Sequence, residues 1–525
     1  MTTETSPEPV GRPQGAPRRG MARWVRGLEP FLTVFLASTA TLVLEIVAAR
    51  ILAPVIGVSL YTWTSIIGII LAGISLGNFL GGVIADRKAS HTLLGVVLSL
   101  ASLTSLAVLP LAATVPGWVV DLPILLRIVL ITTLLFFVPS TILGMVSPIV
   151  IKLQLRDIGS TGKVVGRLYA VSTAGAIFGV FLTGFVLVQW IGSRPTVLLV
   201  AAILLVMAIV FGRLWRVRVA AMLAVAAPVI LALYALDSQH LQSPCVRESN
   251  YFCIKISDSD DEDVKALILD QLVHSYVSLS DPSKLSRYGY EVIFSEVTEH
   301  VAVESPDMRT LFVGGGGYVL PRYIEAVYPS SSIEVIEIDP AVTEIVHGRL
   351  GLPEDSRIVT YNEDARTRAQ RLPNGSYDIV FGDAFNDVSV PYHLTTHEFN
   401  NQIRDLLKPD GIYVVNVVDK LRSGKFLIAF AHTMERTFPH VTLINSEGSW
   451  SGDHRTTTVV LGSMSTITQD DLRAAAQRRG NIFATSHMIT PEAYVDLFEG
   501  RHATFLTDDH APVDQMLAPL YLESR

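Results

Sequence analysis

Cysteine is nearly missing: the 525 residues hold two, Cys245 and Cys253. That is too few for a four-thiolate zinc site or a disulfide-stapled framework. Charge is also scarce, at 17% of residues against roughly 25% in ordinary globular chains. The shortage is local. Residues 1–236 carry 17 Lys+Arg against 7 Asp+Glu, whereas the rest carries 24 against 42. A basic, oily half therefore precedes an acidic, water-compatible half, and the whole is 50% hydrophobic. Disordered and collagen-like classes are excluded, and no nucleic-acid partner is expected.

What the first half has instead is long apolar runs. Seven lie near residues 30–51, 61–85, 92–114, 123–150, 168–190, 195–212 and 218–236. Each is long enough to cross a bilayer, and short polar links divide them. The Pro/Gly/Arg-rich tail is not expected to act as a signal peptide, because the first apolar run starts late and lacks a small-residue cleavage site. Arg12, Arg18, Arg19, Arg23 and Arg26 precede the first run. Arg87 and Lys88 follow the second, Lys152, Arg156, Lys163 and Arg167 the fourth, and Arg213, Arg216 and Arg218 the sixth. The intervening links offer only Arg50 and Arg194. This asymmetry predicts a multi-pass membrane protein with a cytoplasmic amino terminus, and seven spans would then place the acidic half outside.

Within the runs, Gly73, Gly77 and Gly81, and likewise Gly175 and Gly179, recur every fourth residue, a spacing that lets helices approach closely. Glu45 and Arg127 are ionisable groups at membrane depth. Such groups either pair and fix the bundle or face a water-filled path used in transport.

After residue 236 the pattern changes. Tyr251–Ile256 and Lys265–Leu269 read as strands around an Asp/Ser-rich turn. From Thr310 onward short apolar strands alternate with helices: Leu311–Val313, Ile333–Ile338, Arg357–Tyr361, Ile379–Gly382 and Ile412–Val418, with Val441–Asn445 and Thr456–Gly462 as an edge pair. This is the signature of a parallel sheet covered on both faces, whose ligands sit at the carboxyl ends of the strands.

Those ends carry the informative residues. The first strand runs into Gly314, Gly315, Gly316 and Gly317, a turn without side chains that a ligand can approach. Glu337 ends the second strand, where a carboxylate usually accepts ribose hydroxyls. Asp364 and Ala365 follow the third, where an acceptor can read an exocyclic amine, and Asp383 follows the fourth. The set predicts a nucleoside site. NAD fits less well, since its pyrophosphate asks for a third glycine where this chain has Tyr318, Val319 and Leu320. A sulfonium nucleoside has no phosphates, and an acidic cleft suits a cation.

Gly314–Gly317, Glu337-Ile-Asp339, Asp364-Ala365 and the stretch from Asp383 to Pro391 resemble the spermidine synthase (polyamine aminopropyltransferase) family. Thr41–Glu45, Tyr61–Ser65 and Leu506–Pro512 look like its form fused to an amino-terminal membrane domain. The resemblance implies a Rossmann-like α/β domain behind a helical transmembrane bundle. It also implies that Glu337 holds ribose, that Asp364, Ala365 and Pro391 frame adenine, and that Asp383 is the base. The implied cosubstrate is decarboxylated S-adenosylmethionine, with no permanently bound cofactor, and the acceptor a small polyamine. The chain departs from the family twice. Gly317 stands where an Asp holds the aminopropyl ammonium, and position 386 is Asn, so that with a one-residue insertion Asp387 becomes the second carboxylate. Asp508 and Asp509 are reserve ligands for a cation.

The expected organisation is a tail (1–28), a membrane domain (29–236), a β-rich entry segment (237–309), the nucleoside domain (310–463) and a C-terminal extension (464–525). His393 and His397 lie four apart with no Glu between them, so no metal site is expected. Cys245 and Cys253 can form a bridge if the domain is outside and stay thiols if it is cytosolic. Two other functions remain open: methyl transfer or cleavage of intact S-adenosylmethionine at the same site, and non-catalytic transport or sensing of a polyamine or nucleoside. A homo-oligomer also remains open.

Overall fold

The computed structural model describes residues 18–155, 161–216, 218–237, 243–285, 288–384, 390–480, 487–501 and 503–523. Six described helices are long and apolar enough to cross a membrane by length and composition. They are α1 (Arg18–Ile56), α2 (Leu60–Lys88), α3 (His91–Trp118), α4 (Ile124–Gln154), α5 (Thr161–Ile191) and α6 (Ser193–Val210). The seventh apolar run forms α7 (Arg218–Asp237), of which Val225–Tyr234 is a shorter described apolar stretch.

The glycine spacing is a packing device, as its four-residue period predicts. A methyl group on Gly77 would lie 2.0 Å from the Thr141 carbonyl oxygen of α4, and one on Gly175 would lie 2.3 Å from that of Phe35 in α1. With the backbones this close, Thr39 Oγ1 reaches across to the Gly175 carbonyl at 2.9 Å. Of the two alternatives for Glu45 and Arg127, the described residues do not show the pair. Arg127 donates to the Val120 carbonyl at 3.3 Å, and among the described residues no ion pair joins it to Glu45. Arg127 lies in the first turn of α4, within reach of the loop that precedes it.

The water-soluble half opens with a four-stranded antiparallel sheet: β1 (Arg247–Glu248), β2 (Cys253–Asp258), β3 (Val264–Leu269) and β4 (Leu272–Ser278). A helix the sequence pattern had not signalled, α8 (Gly289–Ala302), leads into the main sheet. This contains β5 (Arg309–Val313), β6 (Ser332–Ile336), β7 (Val359–Tyr361), β8 (Tyr377–Gly382) and β9 (Leu407–Lys420). Helices α9 (Val319–Val327), α10 (Pro340–Arg349), α11 (Ala365–Ala369) and α12 (His397–Leu406) alternate with them. Then follow α13 (Phe426–Met434), β10 (His440–Asn445), β11 (Arg455–Ser463), α14 (Gln469–Arg478), β12 (His487–Met488), α15 (Pro491–Phe498) and α16 (Val513–Glu523).

The strand order is β12-β10-β11-β9-β8-β5-β6-β7, parallel from β9 to β7 and antiparallel where β10 and β11 join. Strand alternation sends Leu311 and Val313 to one core, with Phe399 and Phe430, and Phe312 to the other, with Phe294 and Ile324. Both faces are therefore closed, and the strand ends of β5, β6 and β8 are left to build a site.

Candidate active site

The turn after β5 brings two strand ends together. Gly314 has φ +99°, and a side chain there would lie 2.4 Å from the Asp383 carbonyl oxygen. Only glycine lets β5 and β8 end so close. Asp383 is half-buried at the wall of a cavity of about 400 Å³ that Gly314, Gly315, Gly316, Glu291, Asn416, Glu447 and Arg455 also line.

Both Asp383 oxygens are held. Tyr290 Oη donates to Oδ2 at 3.0 Å and Asn416 Nδ2 to Oδ1 at 2.9 Å. Burial pushes the Asp383 carboxyl above its ordinary range, against the pull of those two donors. Burial beside this carboxylate also keeps the Tyr290 phenol protonated, well above its usual range. Asn416 is 5% exposed, and its Oδ1 finds no hydrogen-bond partner among the described residues. It is thus an acceptor waiting beside the cavity.

Glu337 lies behind the glycine turn and not on the cavity wall. Its Oε2 accepts the N–H groups of Gly315 (2.9 Å) and Gly316 (3.3 Å), and its Oε1 accepts that of Asp339 (2.9 Å). Those bonds use three of a carboxylate's roughly four acceptor directions. Burial raises the Glu337 carboxyl, although the three N–H donors oppose it. Asp339 caps α10 by accepting the Ala341 N–H at 3.0 Å.

Asp364, on the neighbouring strand end, caps α11 through the Thr367 N–H (2.9 Å), and its Oδ2 faces His393 Nε2 at 3.1 Å. Burial would raise this carboxyl, but the Thr367 and His393 hydrogen bonds outweigh it and the net direction is down. Ala365 is buried beneath it, and Pro391 opens a short turn of helix at Tyr392–Leu394. Asp387 lies outside the described residues. Asp508 is taken by Arg366, with contacts of 2.6 and 2.5 Å, and by Thr396 at 2.8 Å. Asp509 is exposed on the adjacent turn, away from the cavity. Among the described residues no cluster of His, Cys, Asp and Glu suits a metal: His393 goes to Asp364, while His397 meets Asn401 and Thr437.

Gly317 explains the missing aspartate. A Cβ there would lie 2.6 Å from Ser275 Cβ and 2.7 Å from Val277 Cγ2, and the Gly317 N–H donates to Ser275 Oγ at 2.9 Å. Strand β4 occupies the space a side chain would need. Sequence reasoning missed Tyr290 and Asn416. Asn416 had a signal, a polar residue inside the apolar run Ile412–Val418. Tyr290 had none, because α8 itself went unrecognised.

Residues 291–444 match the spermine/spermidine synthase domain. The chain is similar to the polyamine aminopropyltransferase of Vibrio vulnificus, 34% identical over 110 residues, covering 21% of this chain and 37% of that one. It is also similar to the probable polyamine aminopropyl transferase of Bifidobacterium longum, 25% identical over 219 residues, covering 39% and 48%. The matched stretch spans less than half the length of either relative. Among solved structures, a probable spermidine synthase from Corynebacterium glutamicum aligns at 21% identity and TM-score 0.44, over 49% of this chain and 93% of that one.

Proposed function

We propose that this protein is a membrane-anchored aminopropyltransferase, using decarboxylated S-adenosylmethionine as cosubstrate and a small polyamine such as putrescine as acceptor. The observation that carries this reading is Asp383, held by Tyr290 and Asn416 at the wall of the cavity, one turn from the glycine backbone and Glu337. An acceptor amine is an ammonium in water and cannot attack until it loses a proton. Asp383 attracts the cation and takes that proton, and its raised affinity for protons suits the task. The free Oδ1 of Asn416 accepts one of the two N–H groups that remain. The nitrogen lone pair then forms the new bond to the aminopropyl carbon next to sulfur. The carbon–sulfur bond breaks, its electrons neutralise the sulfonium, and methylthioadenosine leaves. Glu337 receives the ribose and Asp364 and Ala365 the adenine; Asp387 is assigned to the amine chain, whereas Asp509, exposed away from the cavity, is left out of it.

Residue 317 favours a second reading. With no carboxylate after the glycine turn, the site lacks the usual anchor for the aminopropyl ammonium, and intact S-adenosylmethionine could serve in methyl transfer or cleavage. One experiment separates the two. Full-length protein in detergent is given the decarboxylated or the intact compound, with and without putrescine. Methylthioadenosine released only from the decarboxylated compound, and only with amine, supports aminopropyl transfer. Its release without amine indicates cleavage, and saturable binding without turnover indicates a transporter or sensor.

We further assign the synthase domain to the outer face of a cell membrane. Two observations support this: the basic links lie at the other ends of the helices, and Cys245 and Cys253 are joined as a disulfide, a bond that persists in oxidising compartments.

A further inference from the structure

The loop closed by Cys245 and Cys253, eight positions apart, is gripped from both halves of the molecule. From the membrane side, Arg50 near the end of α1 donates through Nη2 to the Ser249 carbonyl at 2.7 Å and through Nη1 to the Tyr251 carbonyl at 3.0 Å. The Ser193 N–H, at the start of α6, donates to Glu248 Oε2 at 2.8 Å. From the other side, the Ser249 hydroxyl donates to Asp339 Oδ2, and Arg247 pairs with Glu344 of α10.

Ser249 is the junction. Its Oγ accepts the N–H groups of Tyr251 (3.0 Å) and Phe252 (2.9 Å), and of the two acceptors within reach of its single proton the charged Asp339 carboxylate is nearer than the Phe252 carbonyl at 3.3 Å. Ser249, Asp339 and Glu337 are 8%, 1% and 6% exposed, so water cannot replace a lost partner. The Asp339 N–H in turn donates to Glu337 Oε1, whose other oxygen holds the glycine turn. A continuous chain thus runs from a guanidinium on a membrane helix to the carboxylate behind the nucleoside site. The positive charge of Arg50 also draws the Asp339 carboxyl downward, against its burial.

We infer that Arg50 is a positioning residue for Glu337 and Asp339, acting through the disulfide-closed loop, so that the membrane bundle forms part of the nucleoside site. This rests on the reading of Glu337 as a nucleoside ligand. Mere adhesion between the halves would change stability alone; positioning changes affinity for the nucleoside.

The test is calorimetry with methylthioadenosine on full-length protein in detergent, comparing wild type, Arg50→Gln, Ser249→Ala and Glu248→Ala. Arg50→Gln and Ser249→Ala should each raise Kd about ten- to a hundredfold, the size of losing one hydrogen bond to a charged group. Because both cut the same chain, the double variant should weaken binding little beyond either single one. Glu248→Ala removes a grip outside the chain and should lower Tm with Kd unchanged. Ser249→Ala keeps the backbone acceptors of Arg50 and decides the matter should Arg50→Gln fail to fold. Wild-type affinity in both chain variants overturns the inference. Absence of binding in the wild type overturns the nucleoside reading itself, and this inference with it.

Discussion

Tyr290 and Asn416 each hold one oxygen of Asp383, the first through a phenol at 3.0 Å and the second through an amide at 2.9 Å. Burial raises the carboxyl's affinity for a proton while these donors lower it. Asp383 acts as base only when ionised, so the acid limb of kcat/KM should lie above the ordinary carboxylate range. Tyr290→Phe and Asn416→Leu each remove a donor that favours the ionised form, and each should move that limb to still higher pH. Asp383→Asn should lower kcat by about 10²- to 10⁴-fold while leaving methylthioadenosine affinity near wild type. A pH–rate series on the variants checks all three, and an unmoved limb would remove Asp383 from the role of base.

Glu337 leads to two opposite trends with pH. Its folded pKa is raised by burial, as are those of Asp383, Asp339 and Asp270, and Asp419 is pushed up to about 6. Between the ordinary carboxylate range and these raised values the folded chain binds more protons than the unfolded one, so stability falls as pH rises through that window. Protonating Glu337 removes an acceptor for ribose, so affinity should fall as pH drops. Unliganded protein should therefore melt higher at pH 5.5 than at 7.5 and bind methylthioadenosine less tightly. Glu337→Gln turns an amide N–H₂ toward backbone donors and should weaken binding by about tenfold or more. Melting curves and titrations at the two pH values test both signs.

Restoring the family aspartate should fail. In Gly317→Asp the new Cβ meets Ser275 and Val277 at 2.6 and 2.7 Å, and its carboxylate enters a buried site. Overpacking of this kind costs about 1–3 kcal/mol, with the burial of charge added. The expected outcome is a lower Tm and no gain in affinity for decarboxylated S-adenosylmethionine. A gain would mean that β4 yields and that the departure at 317 is incidental.

The legible parts of the molecule were those governed by one period. Apolar runs in the first half and alternating strands and helices from Thr310 onward gave the architecture, because burial on both faces of a parallel sheet leaves continuous apolar segments. The carboxylates at strand ends were legible for a related reason: topology fixes where ligands sit before any side chain is placed. What pairs with them was not legible. Tyr290 reaches Asp383 from a helix 93 positions away, and Ser275 fills the space beside Gly317 from 42 positions away. No local pattern encodes such distances. Which of the two alternatives held for Glu45 and Arg127 was not legible either, since the contact Arg127 makes is with a loop carbonyl at Val120.

The side of the membrane can be decided from the cysteines. The helix ends that meet the second half of the chain are those of Arg50 and Ser193, together with Ser59–Tyr61 beside Asp514. The opposite ends carry the pairs Arg213–Glu29 and Lys152–Asp86, close to the basic links that the charge asymmetry assigns to the cytoplasm. On intact cells, an impermeant maleimide should label neither Cys245 nor Cys253 until an impermeant reductant is added, and both afterwards. Cys253→Ser should lower stability by about 2–3 kcal/mol, the loop-closure value for so short a span. Labelling that appears only after lysis would place the domain in the cytosol, where its nucleoside is directly at hand. Labelling from outside means instead that the sulfonium cosubstrate must cross the bilayer to be used, and the reaction then consumes a compound delivered to the outer face.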